Sequence, residues 1–214
     1  VDRYFRAFRE MGINNDRRGL DYFIPPQEVV PLTDLPESHR NGFAGVVIGA
    51  KHHTKIFPAE KVAEVCSAFG KPVLLLGGPE DRERGDKVLA MTSNSLIINT
   101  CGKYSLNQSA WLVEQASVIV TNDTGLMHIA AAFNKPIVSV WGNTIPGFGM
   151  YPLYPEKQPS PSLMVQADHL RCRPCSKLGH ATCPKGHFRC MNDLEIKPVV
   201  DFMEKQFRRD REAR

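Results

Sequence analysis

The chain has 214 residues, of which 42% are hydrophobic, so it is long and apolar enough to bury the core of one domain or of two small ones. Its formal net charge of +4 is too small to indicate a nucleic-acid-binding protein, whereas a phosphate-bearing ligand or an anionic membrane surface would suit it. No run of apolar residues in the sequence approaches the length of a membrane span.

The first predicted element is a short amphipathic helix that ends at Gly12. Its apolar residues fall on one helical stripe, which comprises Val1, Tyr4, Phe5, Phe8 and Met11. Residues 13–41 show no clear period and are rich in proline, so we expect an extended connector there rather than a core element. A helix that opens in mid-pattern and leads into such a connector predicts a preceding segment of chain. We therefore assign residues 1–41 to an interdomain helix and linker.

From Gly42 onward, apolar runs alternate with helix-like stretches. The runs are residues 46–48, 73–76, 96–98, 118–120 and 137–140, and the helical stretches are residues 58–69, 81–91, 106–116 and 125–133. Strands without polar alternation, separated by helices, predict a parallel sheet that is covered on both faces. Residues 42–170 are therefore predicted to form a Rossmann-like α/β domain, with ligands at the carboxyl ends of its strands.

The order of the sequence loosens after Trp141. A loop rich in Gly, Pro and Tyr leads to a predicted strand at residues 163–165, a cysteine-rich segment at residues 172–190 and a last amphipathic helix at about residues 197–207. Residues 171–214 are assigned to this segment and helix. The apolar face of the last helix (Val199, Phe202 and Met203) and the stripe of the first helix are expected to pack against a part of the protein outside these residues.

The junction between the fourth strand and the helix after it combines an acid, a hydroxyl and a glycine. The first amides of a helix have no intrahelical partner and carry partial positive charge, so those of Thr124 and Gly125 are candidates to grip a diphosphate. Asp123 is negative and is better suited to accept hydrogen bonds from sugar hydroxyls. His128 follows one helical turn later on the same face. The alternative is that Asp123 or Thr124 merely caps the helix and that His128 is structural.

Three other strand ends carry candidate ligand-binding residues. Lys55, beside Thr54, follows the first strand and could neutralise a diphosphate as a point charge, or it could be a solvated loop lysine. Asp81 and Glu83 follow the second strand and could reach ribose hydroxyls, or they could simply favour the dipole of the helix they open. Tyr104 follows the third strand and could lie along a purine or be a half-buried loop aromatic.

The six cysteines of the chain favour a reducing compartment with a local site over a disulfide framework. Four of them form the pattern C-x2-C-x7-C-x6-C, with His180 and His187 nearby, and are Cys172, Cys175, Cys183 and Cys190. This pattern is a candidate structural zinc site, although its gap lengths match no common zinc finger. Basic neighbours would then indicate a nucleic-acid-binding or protein-binding module, an interpretation that leaves the Asp-Thr-Gly block unexplained.

The combination and order of these motifs resemble those of a known family. The segment "TNDTGLMHIAAAFNKPIVSVWGNT" closely resembles the signature of glycosyltransferase family 9, the lipopolysaccharide heptosyltransferases. "TKIFPAEK" resembles the Lys-x-x-Pro segment of that family, "GGPED" its following turn and "GKYSL" its base-binding loop. "CRPCSKLGHATCPKGHFRCM" is similar to the cysteine-rich tail of the heptosyltransferase II branch. The resemblance covers nearly the whole chain.

The resemblance implies a GT-B fold, in which one Rossmann-like domain supplies the acceptor site and the other binds the nucleotide sugar. This chain resembles the C-terminal, donor-binding half, and the family's catalytic base, an aspartate near the N-terminus of the full protein, has no match here. The implied reaction is an inverting transfer of heptose from ADP-heptose to the lipopolysaccharide inner core. These residues alone are expected to bind the nucleotide without transferring sugar. The implied setting is the cytoplasm, peripheral to the inner membrane, with no nucleic acid as partner.

By the same resemblance, Lys55, Thr54 and the amides of Thr124 and Gly125 would hold the departing diphosphate, so that catalysis requires no metal. The other implied roles are Asp123 with His128 for the heptose, Asp81 or Glu83 for the ribose, and Lys103 with Tyr104 for the adenine. Two alternatives stay open at this point: another nucleotide sugar as the donor, and a binding-only nucleotide-sugar module with a structural zinc tail.

Overall fold

Six parallel strands form one sheet in the computed structural model, which describes residues 2–213. In chain order the strands are β1 (Ala44–Val47), β2 (Val73–Leu76), β3 (Ile97–Asn99), β4 (Val118–Asn122), β5 (Ile137–Trp141) and β6 (Ser162–Gln166). Their spatial order is β3-β2-β1-β4-β5-β6, and every neighbouring pair is parallel. The predicted Rossmann-like α/β fold is therefore confirmed, and the strand predicted at residues 163–165 is β6.

Helices cover both faces of the sheet. They are α1 (Asp2–Ala7), α2 (Glu37–Arg40), α3 (Ala59–Phe69), α4 (Arg82–Met91), α5 (Leu106–Gln115), α6 (Gly125–Ala132), α7 (Arg189–Asn192) and α8 (Lys197–Ala213). The buried side chains of α3, α4 and α8 share one core cluster, and those of α5 and α6 share another on the opposite face. Among residues 2–213, no helix combines the length and the apolar character that crossing a bilayer requires.

The strand order creates a crevice between β1 and β4. From β1 the chain proceeds outward through β2 to β3, and from β4 it proceeds the opposite way through β5 to β6. The loops that leave the carboxyl ends of β1 and β4 therefore diverge, and ligands bind at such a switch point in open α/β sheets. β1 and β4 are buried along their whole length, and apart from Thr121 and Asn122 at the end of β4 their residues are apolar or glycine, as expected for central strands of a covered parallel sheet.

The prediction that residues 13–41 form an extended connector outside the core is wrong in part. Val30 and Leu35 are buried in the same cluster as α5, and α2 forms directly after Pro36. Short 3-10 turns at Pro26–Glu28 and Leu32–Asp34 flank Val30, which is buried, whereas its neighbour Val29 is exposed. This part of the linker therefore belongs to the folded domain.

The expectation for the last helix is also wrong. Val199 and Met203 are fully buried in this domain's own core, and Phe202 packs against the same cluster. The physical reason is that β5 and β6 are joined by a loop rather than by a helix, so one face of β4, β5 and β6 would be uncovered without α8. The helix also continues to Ala213, beyond the predicted residue 207.

The first helix is shorter than the predicted stripe. After α1 the chain forms a 3-10 turn at Arg9–Met11, and Gly12 ends it with a left-handed φ of 74°. Tyr4, Phe8 and Met11 are exposed, and Val1 lies outside the described residues. The expectation that this stripe packs against another part of the protein stays a prediction.

Truncating α8 inside the core tests its place in the domain. We expect Met203→Ala to lower the free energy of unfolding by about 2–5 kcal/mol, because it opens a cavity at a fully buried position. Glu204→Ala, at the exposed neighbouring position, is the control and is expected to change stability by less than about 0.5 kcal/mol. Urea unfolding followed by circular dichroism measures both. Equal stability of the two variants would mean that α8 is not part of this core.

The buried histidine of α2 predicts a pH dependence of stability. Burial lowers the pKa of His39 below its ordinary value of 6.5, so the unfolded chain takes up a proton more readily than the folded one. The stability contributed by neutral His39 is therefore complete above pH 6.5 and is lost as the pH falls below it. We expect stability to fall less between pH 7.5 and pH 5.5 in His39→Gln than in the unmodified chain.

The matched control for this pH series is His169→Gln, because the side chain of His169 is exposed and its contact with the carboxylate of Asp193, at 3.7 Å, is a surface ion pair of small free energy. Urea unfolding at each pH measures the free energy of unfolding. Its change between pH 7.5 and pH 5.5 is expected to be the same for this control as for the unmodified chain. If the free energy of unfolding of His39→Gln falls between pH 7.5 and pH 5.5 as much as that of the unmodified chain, the proposed effect of burying His39 is wrong.

Candidate functional site

Asn122 joins the two strands that border the crevice. It is the last residue of β4 and is fully buried. Its Nδ2 donates to the carbonyl oxygens of Val47 (3.3 Å) and Gly49 (3.2 Å), and its Oδ1 accepts from the backbone N–H of Phe57 (3.0 Å). One amide side chain thus fastens both ends of the β1–α3 loop, residues 48–58, to the end of β4. This loop carries Lys55.

Lys55 and Asp123 form an ion pair across the crevice. Lys55 Nζ lies 2.7 Å from Asp123 Oδ2, and the two side chains are only 12% and 6% exposed. The hydroxyl of Thr144, which follows β5, donates to the same carboxylate oxygen at 3.0 Å. Lys55 is therefore not the solvated loop lysine of the alternative interpretation. Because a buried charge is costly without its partner, each member of the pair fixes the position of the other.

The amino end of α6 faces the same edge of the sheet. Thr124 precedes α6 in an extended conformation, and its side chain makes no capping hydrogen bond. The capping role considered for Thr124 is therefore not seen, and in the described part of the chain no side chain is found to accept from the first amides of α6. Gly125 is exposed, and apart from its chain neighbours and the backbone of its own helix no protein atom in the described part of the chain lies within 4 Å of the position that a Cβ would occupy. The chain's own packing thus does not require a glycine there, whereas close approach of a ligand would.

His128 lies one turn into α6, close to the ion pair. It is half-buried, and burial lowers its pKa below the ordinary value; the charge of Asp123 raises the pKa and that of Lys55 lowers it. Its imidazole is therefore neutral at pH 7, a state in which one ring nitrogen donates a hydrogen bond and the other accepts one. The structure thus brings together Lys55, Asp123, Thr124, Gly125 and His128 from the sequence-predicted set.

Thr54 is placed differently from the expectation that it binds diphosphate. It is 1% exposed, and its hydroxyl donates to the carbonyl of His180 (3.1 Å) and accepts from the N–H of the same residue (2.8 Å). The hydroxyl is therefore committed to the cysteine-rich segment, which packs directly on the β1–α3 loop. Phe188 of that segment also stacks on the ring of His53.

Arg173 is a functional candidate that sequence reasoning missed. Its guanidinium donates to the carbonyl oxygens of Trp141 (3.1 Å), Gly142, Thr144 (2.9 Å) and Ala167 (2.9 Å). An arginine between two cysteines is indistinguishable in sequence from a surface charge, so no local signal could have found this role. The cysteine-rich segment is thereby bonded to the end of β5 as well as to the β1–α3 loop.

The two acids predicted for the ribose make other contacts in the structure. Asp81 is buried, accepts a hydrogen bond from the N–H of Gly78 (3.1 Å) and forms an ion pair with Arg84. Both of its oxygens are thus used to shape the turn after β2. Glu83 is exposed on the surface of α4 and pairs with Lys87 at 2.9 Å. Contact of either acid with a ribose stays a prediction.

The two residues predicted for the adenine lie in the loop after β3. Lys103 is exposed, whereas Tyr104 is half-buried and packs against the core cluster that contains α5. Burial, and then the charge of Asp34, raises the pKa of Tyr104, so its hydroxyl is neutral. The packing matches the loop-aromatic alternative for Tyr104, and stacking of its exposed part on a purine stays a prediction.

The cysteines of the cysteine-rich segment are all free thiols. Burial raises the pKa of Cys175, and the neighbouring thiols of Cys172 and Cys183 raise it further. The sulfur of Cys172 also lies 3.8 Å from His187 Nε2. Within residues 2–213, however, no three histidine, cysteine or acidic side chains are already arranged around a common metal position.

The chain is similar to known heptosyltransferases. It is 38% identical over 163 residues to lipopolysaccharide heptosyltransferase 2 of Salmonella typhimurium, an alignment that covers 69% of this chain and 47% of that protein. The solved ADP-heptose lipopolysaccharide heptosyltransferase II of E. coli superimposes with a TM-score of 0.68 at 24% identity, over 89% of this chain and 54% of that one. A further E. coli heptosyltransferase, solved with ADP-2-deoxy-2-fluoro heptose, gives a TM-score of 0.57 at 21% identity, over 92% and 52%.

These comparisons define what the chain shares with its relatives. The solved structures show a common fold, and the chain spans less than half the length of the Salmonella protein and about half the length of the solved ones. The family model of glycosyltransferase family 9 (heptosyltransferase) matches residues 1–181, which is most of the sequence. The chain therefore belongs to glycosyltransferase family 9, the heptosyltransferase family.

Proposed function

We propose that this chain is the donor-binding part of a heptosyltransferase and holds ADP-heptose in the crevice between β1 and β4. The observation that carries the proposal is the buried Lys55–Asp123 pair at the amino end of α6, beside the open position at Gly125. The ammonium group of Lys55 and the uncapped first amides of α6 lie at the same edge of the sheet. Together they form an anion site, which suits the diphosphate of a nucleotide sugar. The shared fold with an E. coli heptosyltransferase solved with an ADP-heptose analogue supports the same donor.

Charge builds up on the departing diphosphate during sugar transfer. Lys55 has three N–H donors and uses one toward Asp123, so two remain for phosphate oxygens. The first amides of α6 add fixed partial positive charge. Donors that are already in place stabilise the charge that develops on the leaving group in the transition state. In this proposal the lysine and the amides supply the charge, and catalysis requires no metal.

Asp123 has two roles in this proposal. Both contacts described for its carboxylate, from Lys55 and from Thr144, use Oδ2. Its other oxygen, Oδ1, is thus available to accept a hydrogen bond from a hydroxyl of the heptose. Neutral His128, one turn away, would add a second polar contact to the sugar. The carboxylate then orients the lysine and the sugar together.

The acceptor and the catalytic base are proposed to come from residues outside this chain. The chain spans about half of its solved relatives, and in this proposal the carboxylate of Asp123 contacts Lys55 and the heptose rather than the acceptor. We propose that an inner-core hydroxyl of lipopolysaccharide attacks the anomeric carbon from the opposite side, so the configuration inverts. The reaction would take place in the cytoplasm, at the surface of the inner membrane.

A donor with another sugar or base is the main alternative. The predicted sugar contacts are only Asp123 and His128, and few contacts give limited selectivity between related sugars. Competition experiments with ADP-heptose and with sugars linked to other nucleoside diphosphates separate the two possibilities. Tighter binding of a different nucleotide sugar would replace heptose in the proposal while leaving the diphosphate site intact.

The diphosphate site predicts that the chain binds ADP more tightly than AMP. Lys55→Ala is expected to weaken ADP binding by about 1.5–3 kcal/mol, the range for a charge-assisted hydrogen bond, and to have a smaller effect on AMP. Isothermal titration calorimetry measures both ligands. Equal affinity of the unmodified chain for ADP and AMP would contradict the proposed function.

Lys51→Ala is the matched control for this experiment. Lys51 lies in the same loop and is exposed, so its removal changes the net charge equally without touching the ion pair. Its effect on ADP affinity is expected to be small and to vanish at high salt, because exposed charges are screened. A loss as large as that of Lys55→Ala would mean that general charge, rather than the pair, attracts the nucleotide.

We also propose a structural zinc ion in the cysteine-rich segment. The proposal is supported by four free thiols in one short segment, Cys172, Cys175, Cys183 and Cys190. Purified protein is expected to contain close to one zinc per chain by atomic emission, and a chelator is expected to lower its Tm, because metal binding contributes folding free energy. Metal-free protein with an unchanged Tm would leave these cysteines as packing residues.

A further inference from the structure

The turn after β5, residues 142–144, is held mainly through its backbone. The N–H of Asn143 donates to the carbonyl of Thr54 (3.3 Å), and the carbonyl of Asn143 accepts from the N–H of Cys175 (3.1 Å). The side chain of Asn143 is buried, and within the described residues neither of its amide atoms has a hydrogen-bond partner. This side chain therefore does not anchor the turn, although the turn presents Thr144 to the ion pair.

Arg173 supplies the anchor from the cysteine-rich segment. Its guanidinium bonds the carbonyl oxygens of Gly142 and Thr144 within the turn, that of Trp141 just before it, and that of Ala167 just after β6. Its Nη2 also lies 3.3 Å from Gln166 Oε1. In the described part of the chain these acceptors are carbonyl oxygens rather than carboxylates, so Arg173 fixes backbone geometry instead of neutralising an acid.

We propose that Arg173 is a positioning residue of the donor diphosphate site and acts through Thr144. The inference rests on the proposed function of the crevice. Arg173 fixes the backbone of Thr144, the hydroxyl of Thr144 fixes Asp123 Oδ2, and that oxygen fixes Lys55 Nζ. The cysteine-rich segment is thus part of the donor site, although none of its side chains needs to touch the ligand.

The chemistry of the side chain explains why an arginine is needed. Four backbone carbonyl oxygens accept hydrogen bonds from Nε, Nη1 and Nη2 of Arg173, which lie in one planar group. A guanidinium carries five N–H donors in a rigid fork, whereas the ammonium of lysine is a compact point charge. Arg173→Lys keeps the charge and loses the geometry, and it therefore separates positioning from electrostatic attraction.

The test compares Arg173→Lys, Thr144→Val and the double variant, each titrated with ADP and with AMP by calorimetry. We expect Arg173→Lys to weaken ADP binding about tenfold and AMP binding less than about twofold, because AMP lacks the phosphate that Lys55 would hold. The double variant is expected to bind ADP no more weakly than whichever single variant binds ADP more weakly. The reason is that both changes disturb the contact between Thr144 and Asp123. Arg189→Lys, an exposed position in the same segment, is the control that leaves both affinities unchanged.

The possible results separate the two proposals. Arg173→Lys could lose affinity for ADP and AMP equally, or the losses of the two single variants could add in the double variant. Either result would overturn the positioning role. The diphosphate site itself would still be supported if the unmodified chain prefers ADP to AMP. An unmodified chain that does not prefer ADP would overturn both. If Arg173→Lys does not fold by circular dichroism, Arg173→Gln, which keeps a planar donor amide, takes its place in the same cycle.

Discussion

The ion pair between Lys55 and Asp123 is the interaction on which the candidate site depends. Both side chains are largely shielded from solvent, so the pair persists only while its geometry and its further hydrogen bonds are maintained. Asn122 fixes the loop that carries Lys55, and Thr144 fixes the carboxylate. Removal of one partner would leave an uncompensated charge beside the uncapped end of α6. The pair therefore couples the stability of this edge to its capacity to bind an anion.

Segments far apart in the sequence build this one edge. The parallel sheet aligns the carboxyl ends of β1, β4 and β5, and the cysteine-rich segment bonds the loops after β1 and β5 to each other. His180 reaches Thr54 across 126 positions of sequence, and Arg173 reaches Thr144 across 29. The tail is therefore a structural support of the site, and α8 completes the core beneath it.

Sequence reasoning succeeded where the signal is local. Continuous apolar strands and intervening helices predicted the sheet, and the strand–helix junction predicted that α6 begins at Gly125 while leaving open whether Thr124 caps it. The separate roles assigned to Lys55 and Asp123 did not reveal that they form a pair, because nothing in either motif refers to the other. The burial of Thr54, the core position of α8 and the bonds of Arg173 depend on tertiary contacts, which composition and periodicity do not contain.

A crystal structure of this chain with ADP-heptose tests the central claim most directly. The account predicts that a phosphate oxygen lies about 3 Å from Lys55 Nζ and that another accepts from the first amides of α6. It also predicts that Lys55 stays in contact with Asp123 and that a heptose hydroxyl donates to Asp123 Oδ1. A diphosphate bound at another edge of the sheet, with the Lys55–Asp123 pair unoccupied, would contradict it.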